Sequence, residues 1–91
     1  MLTLTVFVAG EPQQELEARA LRVAQAVAAR YPDRVRVETQ LLASERAEAL
    51  GLRMAPTVVE GDLVLSVGGE LSAGRLKRYV ELRLGELEPQ T

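Results

Sequence analysis

The pattern of hydrophobic and polar positions changes its period several times along the chain. The first run alternates Leu2, Leu4, Val6 and Val8 with Thr3, Thr5 and Phe7. Alternation of this kind predicts a β-strand. Because the second set of positions is itself partly apolar, we expect this strand to lie in the middle of a sheet that is covered on both faces.

A helical period follows Gly10 and Pro12. Its apolar face consists of Leu16, Ala20, Val23, Ala24, Val27 and Tyr31. The spacing predicts an amphipathic helix from about Gln13 to Arg30, which ends before Pro32 because the residue preceding a proline avoids the helical conformation. A second alternating run, Val35, Val37, Thr39 and Leu41, then predicts a strand that pairs in parallel with the first through a right-handed crossover.

Turn and capping residues organise the segment from residue 44 to residue 70. Ser44 is predicted to cap a short helix that runs through Leu50, with Gly51 in the left-handed position after its end. The stretch PTVVEGDLVLSVGG, residues 56–69, contains two apolar runs around a Gly-Asp pair. This arrangement predicts an antiparallel hairpin.

The last predicted helix begins after Ser72, which is a suitable capping residue. Its inward face is predicted to be Leu76, Val80, Leu84 and Leu87, with Gly85 interrupting its end. Tyr79 and Leu82 fall on flanking positions, so the helix is more apolar than one buried stripe requires. We therefore expect a symmetric homodimer, in which this helix and the neighbouring sheet edge form the contact; scattered surface apolar residues on a monomer are the alternative.

Length and charge define the class of protein. The 91 residues are expected to form a single domain, residues 1–91, with a net charge of −2 from 11 basic and 13 acidic residues. The densest basic stretch, RLKRYVELR, is interpreted as a solvated helix face. We therefore expect no nucleic-acid partner, no membrane association and a cytoplasmic protein.

Cys and His, whose side chains carry much redox and metal chemistry, are both missing from the sequence. Disulfide formation and thiolate catalysis by its side chains are therefore excluded, and the commonest zinc and copper ligands are lacking. We expect no metal and no cofactor. The ten arginines against a single lysine are compatible with a thermophilic source.

The stretch GLRMAPTVVEGDLVLSVGGELSAGRLKRYV, residues 51–80, resembles the second half of thioredoxin and of the small glutaredoxin-like domains. The resemblance implies an α/β fold of the thioredoxin-like three-layer α/β/α type, with the order βαβαββα and a mixed four-stranded sheet. It also implies that Pro56 is cis and that the backbone of Ala55 pairs with an extended substrate segment. A trans proline that opens an edge strand is the alternative.

The family's catalytic cysteine pair would fall on Glu11 and Gln14, with Pro12 between them. The resemblance therefore implies the scaffold of a thiol–disulfide oxidoreductase without its thiol chemistry, and the simplest role of Glu11 is to cap the first helix. The binding cleft that the resemblance implies consists of Gly10, Glu11, Pro12, Gln13, Gln14, Ala55, Pro56 and Gly69.

FVAG, followed by a helix with a proline near its start and later by APT, is similar to the clock-associated KaiB family, whose members lack a working cysteine pair and bind protein partners. Both resemblances favour a non-catalytic module that binds or assembles a protein partner of unknown identity. The alternative is a small-molecule binder, for example of glutathione, or an enzyme with a non-thiol mechanism. Spacing alone reveals no catalytic constellation.

Overall fold

The computed structural model describes residues 1–9, 15–68 and 71–87. The described elements are β1 (Leu2–Val8), α1 (Glu15–Ala28), β2 (Val35–Leu41), α2 (Glu45–Ala49), β3 (Thr57–Glu60), β4 (Leu63–Val67) and α3 (Ala73–Leu87). This order, βαβαββα, is the predicted one. Within the described ranges, no helix is both long enough and apolar enough to cross a membrane.

The four strands form one mixed sheet in the order β2-β1-β3-β4. β1 lies in the interior of the sheet, parallel to β2 and antiparallel to β3, with Leu2 opposite Val35 and Phe7 opposite Thr57. β3 and β4 form the predicted antiparallel hairpin. Both sets of β1 side chains are largely buried, since Leu4 and Phe7 are 0% exposed, which confirms a sheet covered on both faces.

The helices divide between the two faces of the sheet. α1 and α3 pack against one face of the sheet and form the main core with it. The buried residues of this core include Leu4, Val6, Ala24, Val58, Leu76 and Val80. A smaller core of Phe7, Ala47 and Val59 lies on the other face, beside α2. The fold is therefore a three-layer α/β/α arrangement of the thioredoxin-like type.

Arg46 of α2 contacts the sheet on the face that α2 covers. Its guanidinium donates to Thr5 Oγ1 and to the carbonyl oxygen of Gly61, both at 3.1 Å. The guanidinium carbon also lies 5.9 Å from the centroid of the Phe7 ring, within the range of a cation–π contact. One side chain thus joins α2 to β1 and to the β3–β4 turn.

The predicted caps are confirmed. Ser44 Oγ accepts a hydrogen bond from Ala47 N–H at 3.3 Å, and Ser72 Oγ accepts one from Arg75 N–H at 3.4 Å. Gly51 follows α2 with a φ of 72°, in the left-handed region that glycine adopts without steric cost.

The predicted inward face of α1 is wrong at its first position. Leu16 is 50% exposed, whereas Glu17 is 1% exposed. Both residues fit the helical spacing of Ala20 and Ala24, so the pattern does not separate them, and the hydrogen bond from Ala9 N–H to Glu17 accounts for the difference. α1 also ends at Ala28 rather than Arg30, and the predicted start at Gln13 lies outside the described residues.

The predicted strand β2 is confirmed, since it pairs in parallel with β1 from Val35 to Leu41, but its inward side is covered only in the first half. Val35 is buried and Val37 packs against the main core, but Thr39 and Leu41 are exposed. β2 is an edge strand, and Leu41 pairs with Val8 at the end of the sheet. An alternating run therefore overstates burial where the covering layer ends.

Gly85 does not interrupt α3, which continues to Leu87. A single glycine costs a helix only about 1 kcal/mol, and the neighbouring Leu84 is buried in the main core. Leu76, Val80 and Leu84 occupy the predicted inward positions, while the side chain of Leu87 is not described. Of the two flanking residues, Leu82 is 61% exposed and Tyr79 is half-buried.

Candidate functional site

Only part of the expected cleft falls on described residues. Gly10, Glu11, Pro12, Gln13, Gln14 and Gly69 lie outside them, so their roles stay predictions. Ala55 and Pro56 lie in the segment that leads into β3, and the Ala55–Pro56 peptide bond is cis, as the resemblance implies. The alternative of a trans proline is therefore wrong.

Hydrogen bonds fix the backbone on both sides of Ala55. The hydroxyl of Thr57 donates to the carbonyl oxygen of Met54 at 2.6 Å. Gly68 N–H donates to the carbonyl oxygen of Pro56 at 2.9 Å, and the Pro56 side chain is buried. The segment is thus attached to β3 and to the end of β4.

Ala55 itself is left with unused hydrogen-bonding groups. Within the described residues, neither its N–H nor its C=O takes part in a hydrogen bond, and the residue is half-buried. Backbone groups that are not paired within a protein are satisfied by water or by a bound molecule. A neighbouring extended chain could therefore pair with Ala55 without breaking an existing contact.

An exposed thioether lies directly beside this backbone. The Met54 side chain is 55% exposed, and a Cβ built on Gly68 would lie 3.5 Å from Met54 Cε. Methionine adapts its shape to different apolar partners. The Met54–Ala55 site, by which we mean Met54, Ala55 and Pro56, therefore combines free backbone groups with an adaptable apolar contact. Met54 could not be singled out from the sequence, because it belongs to no periodic pattern.

A buried carboxylate, Glu17, lies where β1 ends. Glu17 Oε1 accepts a hydrogen bond from Ala9 N–H at 2.7 Å. Its Oε2 is buried and has no hydrogen-bond partner among the described residues. Glu17 thus ties the first turn of α1 to the end of the central strand. Its helical spacing from Ala20 and Ala24 is only a weak signal, because Leu16 fits the same stripe.

A second polar cluster joins α3 to β3. Tyr79 Oη–H donates to Glu60 Oε1 at 2.6 Å, and Arg83 Nε donates to the same oxygen at 2.7 Å. Arg83 also donates to Glu86 Oε2 at 2.8 Å. Sequence reasoning missed this cluster because Glu60 precedes Tyr79 by 19 positions, and no local pattern connects them.

The cluster shifts the pKa of each of its central members. Burial acts to raise the pKa of Glu60, but the hydrogen bonds from Arg83 and Tyr79 outweigh it, and the pKa is lowered. Burial and the hydrogen bond to Glu60 raise the pKa of Tyr79 to about 12. Hydrogen bonds to Glu60 and Glu86 raise the pKa of Arg83. At neutral pH the charged Glu60 and Arg83 and the neutral Tyr79 therefore stabilise one another, as in a structural ion-pair cluster.

Two depressions lie between α3 and the β3–β4 hairpin. A cleft of about 230 Å³ is lined by Leu65, Leu71, Ser72, Arg75, Leu76 and Tyr79. A shallower depression near the β3–β4 turn is lined by Glu60, Gly61, Asp62, Leu63, Tyr79, Arg83 and Glu86. The first contains one guanidinium, that of Arg75, and the second carries three carboxylates beside the guanidinium of Arg83, so the two depressions differ in charge.

The described residues contain no cluster of three or more potential metal ligands among His, Cys, Asp and Glu. Comparison with known proteins adds no assignment, since no protein-family model matches the chain and no curated protein matches it significantly. Functional conclusions therefore rest on the geometry of the chain itself.

Proposed function

We propose that this protein is a non-catalytic, polypeptide-binding module that holds an extended segment of another chain at the Met54–Ala55 site. The observation that carries the proposal is the unpaired backbone of Ala55, which neighbouring hydrogen bonds hold in place. An extended peptide that adds to such a backbone gains main-chain hydrogen bonds irrespective of its side chains.

The amino-acid composition supports binding rather than thiol chemistry. None of the 91 residues is Cys, so no side chain can form a mixed disulfide with a bound polypeptide. The cytoplasmic location expected from the sequence goes with this proposal, because a Cys-free chain needs no oxidising compartment to mature.

The test begins with a random linear peptide library displayed on phage and selected against the immobilised protein. The selected peptide should bind Met54→Glu at least about tenfold more weakly than wild type, since a buried charge replaces an apolar contact and 1.4 kcal/mol corresponds to tenfold. Leu82→Glu is the matched control, because Leu82 is similarly exposed on α3, and its affinity should equal that of wild type.

N-methylated versions of the same peptide test the backbone contribution. Methylation removes one N–H donor at a time, so the loss of affinity should alternate along the peptide with the two-residue period of an extended chain. Affinity that is insensitive to every methylation, or equal for wild type and Met54→Glu, would refute the proposed mode of binding.

A further inference from the structure

The two edge strands of the sheet, β2 and β4, differ in how well they are protected from pairing with another chain. The β2 edge carries Arg36 and Glu38, which form an ion pair at 2.6 Å. β4 has the sequence LVLSV, without a charged residue, and Leu63, Val64 and Val67 are 53%, 38% and 51% exposed. Charged side chains are a common device that prevents edge strands from pairing with other chains. By this criterion β4 is the unprotected edge.

The hydrogen bonds to β3 determine which backbone groups of β4 face outward. Gly68 N–H donates inward to Pro56, and inward and outward residues alternate along an antiparallel strand. Val67 therefore directs its N–H and C=O away from β3. At the other end, Leu63 flanks a two-residue turn and forms a hydrogen-bonded pair with Glu60. The next residue, Val64, therefore also directs its N–H and C=O away from β3.

A register shift in the hairpin explains how Val64 and Val67, which are an odd number of positions apart, can both direct their backbone groups outward. It falls between Val58 and Val59, which pair with Ser66 and Val64, so Leu65 is the extra residue of a β-bulge. Bulges often protect an edge by twisting it away. Here the bulge gives Val64 and Val67, three positions apart, the same outward backbone orientation.

The side chains of these two valines also share one face. Val64 lies opposite Val59 and Val67 opposite Thr57, and directly opposed residues point to the same side of a sheet. Thr57 and Val59 are two positions apart in β3, so both valines lie on the side of α2. A second β4, placed antiparallel, would therefore bring each valine against the other valine of the second copy.

The charges at the two ends of β4 favour the same orientation. The turn end carries Glu60, Asp62 and Glu86, together with Arg83. At the opposite end, Arg75 lines the cleft of about 230 Å³ with Leu71 and Ser72, which follow β4, and the exposed Arg53 precedes Met54. Antiparallel pairing places the acidic end of one copy beside the basic end of the other. Parallel pairing would place like charges together.

We propose that β4 is the interface of a symmetric homodimer, in which two β4 strands pair antiparallel about a two-fold axis between Leu65 and Ser66. The register then pairs Val64 of one copy with Val67 of the other and joins the two sheets into one continuous sheet. The contact uses the sheet edge expected from the sequence and leaves out Leu82 of α3. It does not depend on the proposed peptide binding, which is measured separately.

Light scattering behind a sizing column tests the dimer at tens of micromolar protein. The wild type should show twice the 9.9 kDa mass of one chain. Val67→Lys should show the mass of one chain with an unchanged far-ultraviolet circular dichroism spectrum, because a lysine protects the edge. Leu82→Glu should remain dimeric. A wild-type mass of one chain would overturn the proposal, as would a dimer that survives Val67→Lys or that dissociates in Leu82→Glu.

Cross-linking tests the register and exploits the absence of Cys. The variants Val64→Cys and Val67→Cys are oxidised separately and as a mixture, after which covalent dimers are counted on a non-reducing gel. The mixture should form disulfide-linked heterodimers faster than either variant alone forms homodimers, since opposed residues approach within disulfide distance. Faster homodimer formation by each variant alone would indicate parallel pairing and overturn the proposed register, and equal rates in all three samples would overturn the interface.

Discussion

Glu17 shows how a single polar residue can serve the core. Its carboxylate is buried and accepts the Ala9 N–H, so it satisfies a main-chain donor that the end of β1 leaves unpaired. A buried donor without an acceptor is costly. We therefore attribute the inward position of a glutamate in α1 to this hydrogen bond.

Replacing Glu17 should destabilise the fold in a graded way. Glu17→Ala removes the acceptor and leaves a void, so the free energy of unfolding should fall by about 2 kcal/mol or more. Glu17→Gln keeps an oxygen and nearly the same volume and should cost less. Urea unfolding followed by circular dichroism measures both variants. An alanine variant as stable as wild type would contradict this role.

The contact between α3 and β3 depends on ionisation. Because the folded-state pKa of Tyr79 is raised to about 12 from 10.0, its contribution to stability is complete below pH 10 and is lost as the pH rises from 10 to about 12. For Glu60 the pKa is lowered, so its contribution is present above the ordinary value of 4.5 and is lost as the pH falls through the folded-state value.

Absorbance at 295 nm tests the Tyr79 prediction, since the phenolate absorbs there. The difference between the titrations of wild type and Tyr79→Phe should show one step near pH 12. In Glu60→Gln that step should move toward pH 10, because the hydrogen bond to the carboxylate is lost while burial remains. A difference step at pH 10 in the folded wild type would contradict the Tyr79–Glu60 contact.

Helix ends supply a matched pair of glycines. A Cβ added to Gly85 or to Gly51 would meet no atom within 4 Å, but Gly51 has a φ of 72° and Gly85 lies inside α3. Gly85→Ala should therefore stabilise the protein by about 0.5–1 kcal/mol. Gly51→Ala should destabilise it by about 1 kcal/mol, because the left-handed conformation is unfavourable for alanine. Thermal unfolding midpoints that move in the same direction would contradict this assignment.

The elements that were predictable from the sequence depend on local signals. The alternation in β1, the Ser44 cap and the glycine-containing turn of the hairpin each act within a few residues, and the structure has all three. Glu17 rather than Leu16 lies on the buried face of α1, and this depends on the hydrogen bond from Ala9 N–H, just after β1. Arg46 reaches Thr5 across 41 positions, a distance at which pattern analysis has no information.

Of the candidate site, the cis bond before Pro56 was predictable, and the structure has it. A family resemblance implied the cis bond before Pro56 and the presented backbone of Ala55, neither of which composition or periodicity indicates. Met54 was missed because an exposed methionine before a proline has no distinguishing pattern. Its position beside Gly68 arises only when the start of β3 and the end of β4 come together in the fold.

At the scale of the whole molecule, the proposed polypeptide binding depends on the rigidity of the thioredoxin-like fold around the Met54–Ala55 site. The segment before β3 is held against the sheet, because Pro56 is buried and the Thr57 hydroxyl donates a hydrogen bond to the carbonyl oxygen of Met54. The free groups of Ala55 are then presented on a rigid support, which lowers the entropic cost of binding.

Amide hydrogen exchange of Ala55 measures this claim most directly. With ¹⁵N-labelled protein, exchange of the Ala55 N–H is followed by nuclear magnetic resonance before and after saturation with the selected peptide. We expect this exchange to slow on binding, because the amide gains an acceptor, and we expect the largest chemical-shift changes at residues 54–57. Unchanged exchange at Ala55, with shift changes concentrated on α1 and α3, would contradict it.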